Sequence, residues 1–270
     1  MQLKNKIYRG AENRKSLYDL TVPNKFNGKM ILFLHGYKGF KDWGCWNLMQ
    51  EFFLKQNYGF CKFNFSHNGG TIDEGIDFPD LEAFGKNRYS FELEDTRIMI
   101  DLIFEKMKSS ISEFILIGHS RGGGIATLTS TDSRVNKLIT LASISDIESR
   151  FPKNTAFEEW QEKGVYFIKN GRTNQEMPHY FSFYEDYIKN NEILNIKNKA
   201  QTLVIPCLHI HGDKDTAVLP NESKALAGWT NGTFLQLEDA QHTFNTKHPW
   251  DENELPSKMM EVCQEIIKWL

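Results

Sequence analysis

The sequence predicts an α/β fold, a mostly parallel sheet flanked by helices, and three observations predict it. Short apolar runs alternate with longer amphipathic segments along the chain, the pattern of strands feeding crossover helices. Within the runs, apolar residues occupy successive positions rather than every second one, as strands covered on both faces require. The length of 270 residues suits one domain, because α/β domains of about 250 residues are routine. Such a chain buries about three quarters of the surface its unfolded form exposes, enough to fold without disulfides.

Taken in order, Lys29 to Leu34 is the first apolar run, and it ends in His35-Gly36. Asp42 to Gln56 follows with helical spacing through Trp46, Leu48, Met49, Phe52 and Phe53. Tyr58 to Phe65 reads as the next strand, stopped by Asn68-Gly69-Gly70. Phe91 to Met107 is a long amphipathic helix, and Glu113 to Ile117 a strand ending in Gly118. Lys137 to Ile144, Thr202 to Ile210 and Thr233 to Leu237 complete the strands, and a helix from Pro256 to Leu270 opens on proline. One stretch breaks the rhythm. Residues 148–200 form a connection much longer than a usual crossover, rich in aromatics such as Phe151, Trp160, Tyr166, Phe183 and Tyr184. A connection of that length is expected to act as a cap or lid inserted into a single domain spanning 1–270.

Charge excludes some functions. The 32 basic and 35 acidic side chains leave a net of −3, without the basic excess that binding to nucleic acid or an anionic membrane calls for. No run of about 18 apolar residues is present to span a bilayer, and the N-terminus lacks the apolar core of a signal peptide. Cys45, Cys61, Cys207 and Cys263 have no CxxC or zinc-ligand spacing, and read as reduced packing thiols of a cytoplasmic protein.

The chemistry concentrates in Gly118-His119-Ser120-Arg121-Gly122-Gly123-Gly124, placed where a strand ends and a small-residue helix begins. A serine in so tight a turn projects its hydroxyl above the sheet edge, and glycines two residues before and after it let the backbones approach. A serine hydroxyl is a poor nucleophile, so it needs a base, and the base needs an orienting acid. On this architecture both come from later strand ends, acid before base. His211-Gly212-Asp213-Lys214-Asp215 follows one such strand and Asp239-Ala240-Gln241-His242 the next. His242 is the expected base; Asp215, Asp213 and Asp146 compete as the acid. Oxyanion donors are expected from the backbone N–H of Arg121, at a helix N-terminus, and of Tyr37, in the glycine-flanked loop after the first long strand. His35, His119, His211 and His248 lack HExxH or other strong ligand spacing, so no metal is expected. No Gly-Lys-Ser/Thr follows the glycines, so no nucleotide cofactor is expected either.

On these residues (His35-Gly36-Tyr37-Lys38-Gly39, Gly118 to Gly123, Gly212 to Asp215, and His242) the chain resembles an α/β-hydrolase. It is most similar to the dienelactone-hydrolase and serine-aminopeptidase branch of bacterial esterase-like proteins. The resemblance covers Lys29 to Leu270. It selects Asp215 as the acid, three residues after Gly212 and just before Val218-Leu219-Pro220. It implies an eight-stranded, mostly parallel sheet, for which the region before Lys29 looks short, so a truncated first edge is expected. The implied activity is hydrolysis of a small or aromatic carboxylic ester through an acyl-enzyme on Ser120, without cofactor. Cleavage of small peptides or amides, and ligand binding without turnover, are the alternatives.

Overall fold

Each central strand shows both of its faces to apolar partners. The structure, a computed structural model, describes residues 1–270, the side chain of Lys108 excepted. In the third strand, β3 (Lys29–Leu34), Met30, Leu32 and Leu34 pack into one core, and Ile31 and Phe33 into another. This period-two division of an unbroken apolar run places a hydrophobic layer on either side of the sheet. One layer is closed by α3 (Tyr89–Met107) and α4 (Arg121–Thr129), the other by α1 (Trp46–Lys55) and α9 (Ser257–Trp269).

The sheet has eight strands in the order β1-β2-β4-β3-β5-β6-β9-β10. Here β1 is Gln2–Arg9, β2 Lys15–Thr21, β4 Gly59–Phe63, β5 Glu113–His119, β6 Lys137–Leu141, β9 Cys207–Gly212 and β10 Thr233–Leu237. From β4 to β10 all neighbours are parallel; β1 and β2 run antiparallel at the edge.

Two expectations need correction. The first edge is not truncated: β1 and β2 form a full hairpin. Most of β1 is exposed, with Lys4 and Lys6 on it, so an edge strand protected by charge leaves no apolar run to read. The strand expected from Thr202 begins only at Cys207. Val204 is 96% exposed and Pro206 cannot donate to a ladder, so the apolar residues before it are a loop after α7 (Ile196–Ala200).

Sequence reading also missed a buried charge cluster. Lys62, inside β4, and Lys41 are buried and share the Asp19 carboxylate of β2 at 3.0 and 2.9 Å. Asp42 pairs with both, so two cations meet two anions and the hairpin is tied to the sheet. Two ammonium groups so deeply placed are tolerable only when paired and hydrogen-bonded in this way.

Between β6 and β9 lie α5 (Thr155–Lys163), a two-stranded sheet of β7 (Val165–Lys169) and β8 (Glu176–Tyr180), α6 (Ser182–Lys189) and α7. Trp160 is buried at their centre against Phe157, Tyr166, Phe181 and Tyr184, and its Nε1–H donates to the His179 carbonyl at 2.8 Å. The segment seats on the body through Phe183, stacked on Tyr89 with centroids 4.9 Å apart, and through β8 against α2 (Leu81–Gly85). After β9 the chain forms α8 (Pro220–Thr230). All four thiols are buried and unbridged, and among the described residues no helix is long and apolar enough to cross a membrane.

Candidate active site

The loops at the carboxyl ends of β3, β5, β9 and β10 converge, where open parallel sheets place ligands. At the end of β5, Ser120 adopts φ 55° and ψ −119°, backbone strain that persists only where its surroundings hold it. They do so through two glycines. A Cβ on Gly118 would strike the Gly122 carbonyl, and one on Gly122 the carbonyls of Leu34 and His35 at the end of β3. The glycines therefore let helix α4 start directly against two strands, with Ser120 at its head.

The structure brings Ser120, His242 and Asp215 together. Nε2 of His242 is 3.0 Å from Oγ of Ser120, and Nδ1 is 2.7 Å from Oδ2 of Asp215. A carboxylate only accepts, so Nδ1 carries the proton and Nε2 presents its lone pair to the serine hydroxyl. Oδ1 of Asp215 accepts the N–H groups of Ala217 and Val218 at 2.8 and 3.0 Å. Burial pushes the Asp215 carboxyl up, but the hydrogen bonds from His211, His242 and Val218 outweigh it and hold the group well below the usual carboxylate range.

His211 is the residue whose part sequence reasoning missed. Its Nε2 lies 2.9 Å from Oδ2 of Asp215 and 2.9 Å from the Val218 carbonyl. Both are acceptors, so Nε2 carries the proton, and Nδ1 accepts the Ser223 hydroxyl at 2.7 Å. Oδ2 therefore receives two imidazole N–H groups. The only signal was a histidine at the end of β9, four residues before Asp215.

The competing carboxylates go elsewhere. Asp213 pairs with Lys214 at 3.0 Å, and exposed Asp146 accepts the Ser149 N–H at 2.8 Å. The other histidines are fastenings. His119 donates from Nε2 to the His242 carbonyl at 3.0 Å, fixing the loop that carries His242. His35 accepts the Phe65 N–H at 3.2 Å and donates to the Gly36 carbonyl. His248 accepts the Gly44 N–H at 2.9 Å. Burial pushes His119 down to about 3 and His35 to about 4, so both are neutral at pH 7. Among the described residues no group of three His, Cys, Asp or Glu is arranged to hold a metal ion.

Tyr37 and Arg121 flank Ser120 on the wall of one cavity. Among the described residues neither backbone N–H has an acceptor within the chain. The Arg121 guanidinium turns away from charge recognition. It lies 4.5, 4.9 and 5.5 Å from the rings of Tyr37, Tyr89 and Phe183, and pairs with buried Glu92 at 3.2 Å. Two cavities open on Ser120 and His242. One, of about 230 Å³, is walled by Trp43, Trp46 and His119; the other, of about 430 Å³, by Tyr89, Tyr166, Phe183 and Val218. Tyr166 and Phe183 come from the aromatic insertion, whereas Tyr184 is spent on packing within it.

No model of a known family matches the chain, and no curated protein matches it. Solved structures do. Est1E from Butyrivibrio proteoclasticus superposes with a TM-score of 0.67 at 13% identity, over 99% of this chain and 98% of its own. A putative hydrolase from Agrobacterium vitis S4 gives 0.72 at 15%, over 99% and 97%. Mouse alpha/beta hydrolase domain-containing protein 10 gives 0.68 at 17%, over 98% and 97%. Identities this low carry architecture and not activity. Strand order, a serine on a strained strand-to-helix turn, and superposition over nearly the whole length agree: the chain has the α/β-hydrolase fold.

Proposed function

We propose that this protein is a serine hydrolase that cleaves small or aromatic carboxylic esters through an acyl-enzyme on Ser120. The observation that carries the reading is the unbroken hydrogen-bonded chain Ser120–His242–Asp215, at 3.0 and 2.7 Å. As Oγ attacks the ester carbonyl, its proton passes to Nε2 of His242, and Asp215 stabilises the imidazolium without taking the proton. The carbonyl oxygen becomes an oxyanion, received by the free N–H groups of Tyr37 and Arg121. His242 returns the proton to the departing alkoxide. Water then loses a proton to His242, attacks the acyl carbon, and releases the carboxylic acid with Ser120 restored.

Two cavities meeting at the nucleophile suit a substrate with two arms, one acyl and one alcohol. The larger, near the small end of ligand pockets, is ringed by aromatics, which favours compact or aromatic groups over long chains. Support of a weaker kind comes from the fold relatives, one of which, Est1E, is described with ferulic acid bound. A cytoplasmic location is part of the proposal, supported by four buried cysteines that remain free thiols. The test is labelling with a fluorophosphonate, alongside hydrolysis of p-nitrophenyl esters. Ser120→Ala is expected to abolish both and to change stability by less than about 1 kcal/mol, because it removes only a hydroxyl. Near wild-type turnover in Ser120→Ala overturns the nucleophile. A wild type that is neither labelled nor active leaves the fold as a binding scaffold.

A further inference from the structure

The two cavities carry cations and no carboxylate. Lys38 and Arg172 line the smaller, Lys38, Arg121 and Arg150 the larger, and neither lining includes Asp or Glu. In a chain of net charge −3 this is a local reversal of sign. Three of these four cations are already neutralised, Arg121 by Glu92, Arg150 by Glu222 and Arg172 by Asp77. Lys38 is different. Among the described residues no carboxylate stands within 4.0 Å of its ammonium; its near neighbour is the ring of Tyr37, 5.1 Å away.

Lys38 is also held in place. It sits between Gly36 and Gly39, whose N–H donates to the Gly36 carbonyl at 3.0 Å, and its φ is 53°. A non-glycine residue in the left-handed region is strained, and such strain gathers at ligand clamps. The side chain is half-buried, and burial lowers its pKa with no carboxylate to offset the loss of water. A partly desolvated, unpartnered cation at the junction of two cavities is stabilised by an anion entering either one.

We infer that the ester substrate carries an anionic group, a carboxylate or its equivalent, and that Lys38 recognises it. This rests on the ester-hydrolase reading and narrows its substrate class. Since Lys38 borders both cavities, the anion belongs to the acyl or the alcohol arm, and paired substrates distinguish the two. For the acyl arm the pair is p-nitrophenyl hydrogen adipate and the matching adipamic acid ester; for the alcohol arm, 3-acetoxybenzoate and 3-acetoxybenzamide. Each pair differs by one charge at nearly constant shape.

The quantity read is the ratio of kcat/KM within a pair. Wild type is expected to prefer the anionic member of one pair by about tenfold, the worth of one charge-assisted hydrogen bond. Added salt should shrink that preference. Lys38→Met should bring the ratio close to one, Lys38→Arg should keep most of it, and Lys189→Met, an exposed lysine on α6, should not move it. No preference in either pair, or a preference that survives Lys38→Met, overturns the inference. Turnover of the neutral members and labelling of Ser120 report separately on ester hydrolysis. If both fail, calorimetric binding of 3-hydroxybenzoate against 3-hydroxybenzamide, in wild type and Lys38→Met, still decides whether Lys38 selects the anion.

Discussion

Asp215 is the position where one atom exchange makes the sharpest demand on this structure. Replacing it by asparagine keeps the shape but turns one oxygen into an NH₂ donor. Oδ1 faces two backbone N–H groups, of Ala217 and Val218, and Oδ2 faces the imidazole N–H groups of His211 and His242. The amide NH₂ must therefore meet donors whichever way it is turned. On the imidazole side His242 escapes by moving its proton to Nε2, which removes the lone pair that Ser120 needs. His211 has no such escape, because Nε2 also faces the Val218 carbonyl at 2.9 Å. Asp215→Asn should then cost twice. In another serine hydrolase the same exchange lowers turnover about 10⁴-fold through the wrong tautomer, and a loss of that order is expected here. One unsatisfied buried donor should lower stability by about 1–3 kcal/mol, or Tm by about 3–10 °C. The assay is kcat on a p-nitrophenyl ester together with a thermal melt, with Asp213→Asn and Asp146→Asn as controls that stay close to wild type. If Asp215→Asn keeps turnover within about tenfold of wild type, or Asp146→Asn proves the crippling change, the assignment of the acid is wrong.

His211→Asn should lower kcat by about tenfold, the worth of one hydrogen bond to a charged group, with KM unmoved; in an Asp215→Ala background it should cost nothing further, and additive losses would mean that His211 does not act through Asp215. His35 and His209, pushed down to about 4, and His119 and His179, to about 3, are kept neutral chiefly by burial. The unfolded chain protonates them near 6.5, so it binds more protons and stability falls as pH drops from about 6.5 toward 4, each group removing about 1.4 kcal/mol per pH unit. Asp95, pushed up to about 7 by burial, and Glu92, also raised by burial, oppose them as two groups against four; Tm should fall below pH 6, and a Tm flat from pH 7 to 4.5 would contradict this balance. Across acyl esters of two to sixteen carbons, kcat/KM should climb about fourfold per methylene while the cavity fills, then fall. Phe183→Ala, which opens the cavity wall, should move the optimum to longer chains and Tyr184→Ala should not; a wild-type profile still rising at sixteen carbons would indicate an open channel.

The sequence alone determined the parallel core and the proposed nucleophile. Runs apolar at every position, such as Met30 to Leu34 and Phe114 to Ile117, have no solvent-facing side and fit only a sheet covered twice. Gly118 and Gly122 announce Ser120 because no other residue permits the turn. Both are local constraints, written within a few neighbouring positions. The edge hairpin was not legible, because polar β1 gains its place by hydrogen bonding to β2 rather than by burying side chains. The burial of Lys41 and Lys62 was not legible either, because it depends on Asp19 and Asp42 being brought to them by the fold. Among Asp146, Asp213 and Asp215 the order of residues left the acid open; the family resemblance selected Asp215, and the tertiary structure brings that carboxylate to His242. All three follow strand ends, and which carboxylate reaches His242 depends on how the turn after β9 aims its side chain toward the loop after β10. His211 shows the same limit: its importance lies in sharing one carboxylate oxygen with a histidine 31 positions away (211 to 242). Pairing across that distance is set by the packing of whole strands, and no local pattern in the chain encodes it.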